Sequence, residues 1–181
     1  MNLLLCYYGD DFTGSTDSME GLALHGIKTV LFLQPPTAEQ LEQFPDLQCF
    51  GVAGTSRSMK PEEMEQHLPS IFQQLQQTPI VHYKVCSTFD SSPEIGSIGK
   101  VIDIAKIQFT QSRVIPLLVG APSLRRYTIF GNHFATVGEE THRLDRHPTM
   151  SRHPVTPMDE GDLRVHLNKQ TDSKIGLMDI L

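Results

Sequence analysis

A chain of 181 residues, 39% of them hydrophobic, is long enough to bury one sizeable core, and it predicts a single domain spanning 1–181. Its 15 basic residues are outnumbered by 21 acidic ones, a net charge of −6, which excludes broad attraction to nucleic acid or to an anionic membrane; an anionic ligand must meet a local cationic cluster. The three cysteines, Cys6, Cys49 and Cys86, form no CxxC pair and no even set, and the first residues lack a basic leader, so the expectation is a soluble, cytoplasmic protein with reduced, buried thiols and no spanning helix.

Apolar runs at 3–8, 27–33, 47–53, 80–86 and 114–119 predict largely buried strands, for which parallel pairing is the natural arrangement. A helix is expected over 15–25, closed by Gly26. Another, over 61–77, keeps Met64, Leu68, Ile71, Phe72 and Leu75 in register, with Pro69 expected to bend or split it. The clearest pattern, 95–109, puts Ile95, Ile98, Val101, Ile102 and Ala105 on one face behind Ser92 as N-cap and Pro93 in the first turn. After about Gly131 the periodicity fades into a polar, His-rich stretch, and Thr156-Pro157-Met158-Asp159 then predicts the cap and first turn of a last helix over 159–170. The apolar run 174–181 reads as the start of a further element. Strand alternating with helix gives the fold class: α/β, a Rossmann-like layered sandwich with a mostly parallel sheet, right-handed crossovers and ligands bound at the carboxyl ends of its strands.

The segment with most chemistry is Gly9-Asp10-Asp11-Phe12-Thr13-Gly14-Ser15-Thr16-Asp17, at the exit of the first strand. Carboxylates accept hydrogen bonds from sugar hydroxyls and can deprotonate one, which makes Asp10 and Asp11 candidate bases, and Thr13, Gly14 and Asp17 candidate substrate contacts; ordinary helix capping is the competing reading for Thr13 and Asp17. After the third strand, Arg57 in Gly54-Thr55-Ser56-Arg57-Ser58 can clamp a carboxylate bidentately or simply face water. After the fourth, Lys84, Ser87, Thr88 and Asp90 point to the same rim, and a lysine inside an apolar strand must pair with or contact an anion. Ser123 and one arginine of Ser123-Leu124-Arg125-Arg126 can complete a pocket.

Neither a phosphate loop nor GxGxxG is present: Gly96-Ser97-Ile98-Gly99-Lys100-Val101 lacks the gap and the hydroxyl that a phosphate loop requires. His133, His142, His147, His153 and His166 match no zinc spacing and are read as exposed polar residues, with no metal site expected.

Taken together and in order, GDDFTGSTD, KVCSTFDSSPEIGSIGK and MSRHPVTPM resemble the four-carbon acid sugar kinase family over essentially the whole chain. The resemblance implies a two-domain enzyme of about twice this length that phosphorylates D-threonate, D-erythronate or a 3-oxo-tetronate. Such an enzyme binds the sugar acid in its N-terminal domain and uses ATP and Mg2+, held mainly by a C-terminal domain beyond Leu181; nothing would be bound tightly by this chain itself. It puts Asp10 and Asp11 beside the acceptor hydroxyl, Arg57 and Lys84 on the substrate carboxylate, Ser87 and Asp90 on its hydroxyls, and Arg152 and His153 toward the substrate or phosphates. The expected partners are a small four-carbon sugar acid and the missing domain, with a homodimer left open. Two other readings stand beside it: a sugar-acid-binding module without turnover, and an aspartyl phosphohydrolase, for which the Asp-x-Asp spacing is missing.

Overall fold

The first apolar run becomes β1 (Leu5–Gly9), and the sheet is built around it: β1 lies parallel between β3 (Cys49–Ala53) and β4 (Val81–Lys84), and β2 (Thr29–Phe32) pairs parallel with the other side of β3, giving the order β2-β3-β1-β4. The computed structural model describes residues 3–180, which sort into two compact units: 3–56 with 66–86, and 57–65 with 87–180. The parallel sheet belongs to the first. Cys6, Tyr7, Tyr8, Phe50 and Val52 are buried along β1 and β3, so consecutive residues pointing to opposite faces are both covered, which is why these strands read as unbroken apolar runs.

Directly after β1 the chain turns into α1 (Phe12–Leu24), capped by Asp11 and ended by His25 and Gly26, with Gly26 N bonding Ala23 O and Ile27 N bonding Leu22 O. Gly26 has φ +79, the left-handed geometry that this paired closure needs. The one-turn helix α2 (Ala38–Glu42) was not expected, because five residues carry no readable period. Its signal was Thr37-x-x-Gln40, whose side chains and backbone cap one another reciprocally. Helix α3 (Pro61–Leu75) is continuous through Pro69, so the proline does not split it. The proline leaves the carbonyl of Glu65 without its helical donor, and Glu65 is exposed, so water can bond it. The predicted face is the buried one: Leu68, Phe72 and Leu75 are at most 1% exposed, each worth about 1.5–3 kcal/mol of burial.

In the second unit α4 (Ile98–Gln108) starts three residues later than expected and is capped by Ser97 rather than Ser92. Ser92 instead closes a turn, accepting from Ile95 N at 2.9 Å, and Gly96, at φ +62 and donating to Met59 O, takes the backbone out of helical geometry before Ser97. The run 114–119 is no strand, and Val114 and Leu118 are 75% and 88% exposed. Pro116 at its centre lacks the N–H that an interior ladder position must donate. Where hydropathy shows no period, an antiparallel sheet forms: β5 (Arg126–Ile129), β6 (Asn132–Val137) and β7 (Glu140–Arg143). The first hairpin turns on Phe130 and Gly131, φ +50 and +81, as a two-residue type I′ turn requires, and Gly138 at φ +60 serves the second. Polar residues at buried positions, His133 and Thr136, hid these strands from a hydropathy pattern.

The last helix, α5 (Leu163–Leu167), is shorter than expected and is capped by Asp162, not by the Thr156 segment. Met158 N bonds Met150 O, His133 N bonds Gly161 O, and Asp162 bridges to Asn132, so the backbone groups before Asp162 are engaged elsewhere and the α-helix starts only after it. Beyond Thr171, residues 172–180 form no helix or strand, and Leu177, Met178 and Ile180 are exposed; Leu181 lies outside the described residues. No described helix is long and apolar enough to cross a membrane.

Candidate functional site

In the first unit, the carboxyl ends of β1, β3 and β4 meet at one rim. Gly9 pairs with Lys84, Asp10 N donates to Lys84 O at 2.9 Å, and Gly54 N donates to Gly9 O at 2.9 Å. Three of the predicted residues, Asp10, Asp11 and Lys84, are brought together there. A side chain at position 9 would collide with Ser15, whose Oγ lies 2.0 Å from the place of a Cβ, so only glycine lets helix α1 start this close to the strand. Asp10 is buried, 3% exposed, whereas Asp11 is half-buried and its Oδ1 accepts from Gly14 N at 2.7 Å, which makes it the N-cap. Gly14 is therefore a capping partner by its backbone; Thr13 and Asp17 are exposed on α1. Lys84 is half-buried, and its ammonium donates to Val85 O at 2.6 Å, a neutral acceptor that leaves the positive charge unneutralised by that contact.

The second unit carries the rest. Thr88, Phe89, Asp90 and Ser91 are buried, with Ser87 half-buried at their head. Thr88 Oγ1 donates to Asp90 Oδ1, and between them Phe89, fully buried, holds φ +59. A bulky residue in the left-handed region costs about 1–3 kcal/mol and persists only where surroundings over-determine it. The turn that puts Thr88 and Asp90 side by side is thus strained. Arg57, half-buried at the end of its own strand-to-helix link, has its carbonyl 2.5 Å from where a Cβ on Gly96 would stand, so its backbone is pressed against the turn that follows this loop.

Ser123 is exposed in the turn 122–124 and Arg152 is exposed at the end of the turn 150–152. His153 is half-buried and uses Nδ1 locally, 3.0 Å from both Thr156 N and Thr156 Oγ1, so it caps its own loop. The expectation of exposed histidines fails for three of them: His133, His147 and His166 are at most 5% exposed. Burial pushes each imidazole below its ordinary range. Each is accommodated by hydrogen bonds from loops that sequence pattern cannot register. Cys6 and Cys49 are buried free thiols, pushed up by burial to about 11 and about 12, and Cys86 is only half-buried. Among the described residues no three His, Cys, Asp or Glu side chains converge as a metal site.

Residues 5–181 match the family model of the sugar-binding N-terminal domain. The chain belongs to this family. This sugar-binding domain is 55% identical over 181 residues to a 3-oxo-isoapionate kinase of Paraburkholderia graminis, covering 99% of the chain and 38% of that kinase. It is 31% identical to a 3-oxo-tetronate kinase of Methylobacterium radiotolerans, covering 99% and 41%. The chain thus spans about two-fifths of the curated relatives it matches. Among solved structures it is similar to a Salmonella typhimurium LT2 protein, 26% identical with a TM-score of 0.87, covering 99% of the chain and 41% of that protein. The resemblance read from GDDFTGSTD, KVCSTFDSSPEIGSIGK and MSRHPVTPM is borne out at the level of the family.

Proposed function

We propose that this chain is the substrate-binding part of an ATP-dependent kinase acting on a short 3-oxo sugar acid. The observation that carries the reading is the 55% identity with a 3-oxo-isoapionate kinase along the whole chain. That relative favours the isoapionate acid over the four-carbon acids, threonate and erythronate included, which serve as the comparison ligands. A sugar acid of this kind offers a carboxylate, a ketone and hydroxyls. The motif resemblance assigns Lys84 and Arg57 to a carboxylate and Ser87, Thr88 and Asp90 to hydroxyls; within its own unit, the Lys84 ammonium donates to a neutral carbonyl. Asp10, buried at the strand end, would take the proton of the attacking hydroxyl, and Asp11 would orient that group from its capping position. ATP would supply the phosphoryl group in the whole enzyme, together with a magnesium ion. The described residues offer no metal cluster, so no step on this chain is assigned to the metal.

Calorimetric titration of the chain with 3-oxo-isoapionate, 3-oxo-tetronate, D-threonate, D-erythronate and ATP tests the proposal. Binding of a 3-oxo acid that Asp10→Asn and Lys84→Ala each weaken at least about tenfold is the expected result, since a lost hydrogen bond to a charged group costs about 1.5–3 kcal/mol. ATP binding with no sugar-acid binding would overturn it.

A further inference from the structure

Two buried histidines, neither assigned a role by the sequence motifs, grip the two ends of the strained 87–91 segment. His133, on β6 and fully buried, has Nε2 2.8 Å from Ser87 O and Nδ1 2.8 Å from Thr128 Oγ1. A carbonyl oxygen only accepts, so Nε2 carries the proton and Nδ1 accepts from the Thr128 hydroxyl. His166, on α5 and 3% exposed, has Nε2 2.9 Å from Ser91 Oγ, and its ring meets Phe89 edge-on with centroids 5.9 Å apart.

Gln170 fixes the rest of this network. Its Oε1 accepts from Gly99 N at 3.2 Å, so its Nε2 is the end that reaches Ser91 Oγ at 2.9 Å. Ser91 Oγ accepts from Gln170 Nε2 and lies 2.9 Å from His166 Nε2 and 3.1 Å from Phe89 O, and the same Gln170 nitrogen stands 3.0 Å from His166 Nε2. An amide nitrogen only donates, so His166 Nε2 is the acceptor at the centre of this cluster, and its buried Nδ1 takes no part in it. The three bonds converge on the carbonyl and side chain that flank the left-handed Phe89. The strained Phe89 is therefore held from both ends of the segment: His133 fixes the entry at Ser87 and His166 fixes the exit at Ser91.

We infer that His133 and His166 are positioning residues for sugar-acid binding, holding residues 87–91 in the one conformation that presents Ser87, Thr88 and Asp90 together. The inference rests on the reading of this loop as a substrate loop. Neither imidazole touches the ligand; each acts through the backbone or through Ser91. Supporting groups of this kind typically change affinity by about 10–100-fold when removed.

The test combines two measurements on the 181-residue chain. Amide hydrogen exchange, read by NMR without ligand, follows residues 88–92 against the β1 amides of Cys6 to Tyr8; calorimetry with 3-oxo-isoapionate and 3-oxo-tetronate gives Kd. His133→Ala and His166→Ala should accelerate exchange in 88–92 while β1 stays protected, and should weaken binding about tenfold or more. His166→Gln, whose side-chain amide can reach Ser91 Oγ, should recover most of the affinity. If an alanine variant fails to fold, Gln170→Ala removes the amide that bonds both Ser91 and His166 from a half-buried position and should loosen the same amides. Unchanged exchange in 88–92, or wild-type affinity in both alanine variants, overturns the inference. A wild-type chain that binds no 3-oxo acid while the variants still loosen 88–92 sinks the functional reading and upholds the grip on the loop.

Discussion

Asp10 and Asp11 are consecutive and chemically identical, yet the end of β1 gives them different work: one is buried against the sheet, the other is half-buried and caps α1 through Gly14 N. This separates a structural from a chemical role at one position. Asparagine caps a helix as well as aspartate does, so Asp11→Asn should leave the thermal midpoint unchanged, whereas Asp11→Ala should lose about 1 kcal/mol in urea unfolding. A loss of sugar-acid binding in the stable Asn variant would then report the charge alone. The thiols differ in access in the same residue-by-residue way. Cys6 and Cys49 are fully buried with raised pKa values, and Cys86 is half-buried, so native protein treated with iodoacetamide near neutral pH should take up a single label, at Cys86, by peptide mass spectrometry. Labelling of Cys6 or Cys49 at the same rate as Cys86 would contradict the burial.

Among the elements, α3 shows how much a helix tolerates when its apolar face is complete. Pro69 removes a hydrogen bond, yet Leu68 and Phe72 on either side of it stay buried, and the burial outweighs the loss. Pro69→Ala restores the bond and should raise stability by up to about 3 kcal/mol, seen as a higher melting temperature. Leu68→Ala should lower it by about 2–5 kcal/mol, because the cavity would lie in the fully buried face. Helix α4 behaves in the complementary way: Ser92 and Pro93 have the composition of a helix start, but Gly96 and its bond to Met59 O decide that the helix begins at Ser97.

For the molecule as a whole, the buried titratable groups define a window of stability. His133, His147 and His166 are held neutral by burial, so their folded pKa values are depressed; the unfolded chain binds protons first, and stability present above about pH 6.5 is lost as pH falls. Asp145, Asp159 and Asp162, each lowered first by a hydrogen-bonded cation, add a further loss below the ordinary carboxylate range. Cys6 and Cys49 are raised, to about 11 and about 12, so stability is complete below their unfolded pKa near 9 and is lost as pH rises through those values. Urea midpoints measured across pH should therefore form a plateau from about 6.5 to 9 that falls on both sides. A midpoint that kept rising below pH 6 would show that the histidines are not buried neutral.

How much of this was legible in the sequence follows from where each signal resides. Four parallel strands and the faces of α3 and α4 could be read because burial on both sides of a strand, or on one stripe of a helix, writes itself as hydropathy along the chain. The family motifs likewise lie on contiguous residues, so Asp10, Asp11, Lys84, Ser87, Thr88 and Asp90 could be named from the sequence. The antiparallel sheet could not, since His133 and Thr136 occupy its buried positions and their cost is met by hydrogen bonds to Ser87 and Thr141, 46 and five residues away. The run 114–119 failed in the opposite direction: hydropathy called for a strand, and the missing N–H of Pro116 together with the pairing pattern of the sheet decided otherwise. Local order of residues thus determined the core strands, the helix faces and which polar side chains stand at the end of β1. Tertiary structure alone decided which polar groups are buried, where α4 and α5 begin, and that two distant imidazoles meet one strained loop, because a hydrogen bond between residues far apart in sequence leaves no periodic trace in either segment.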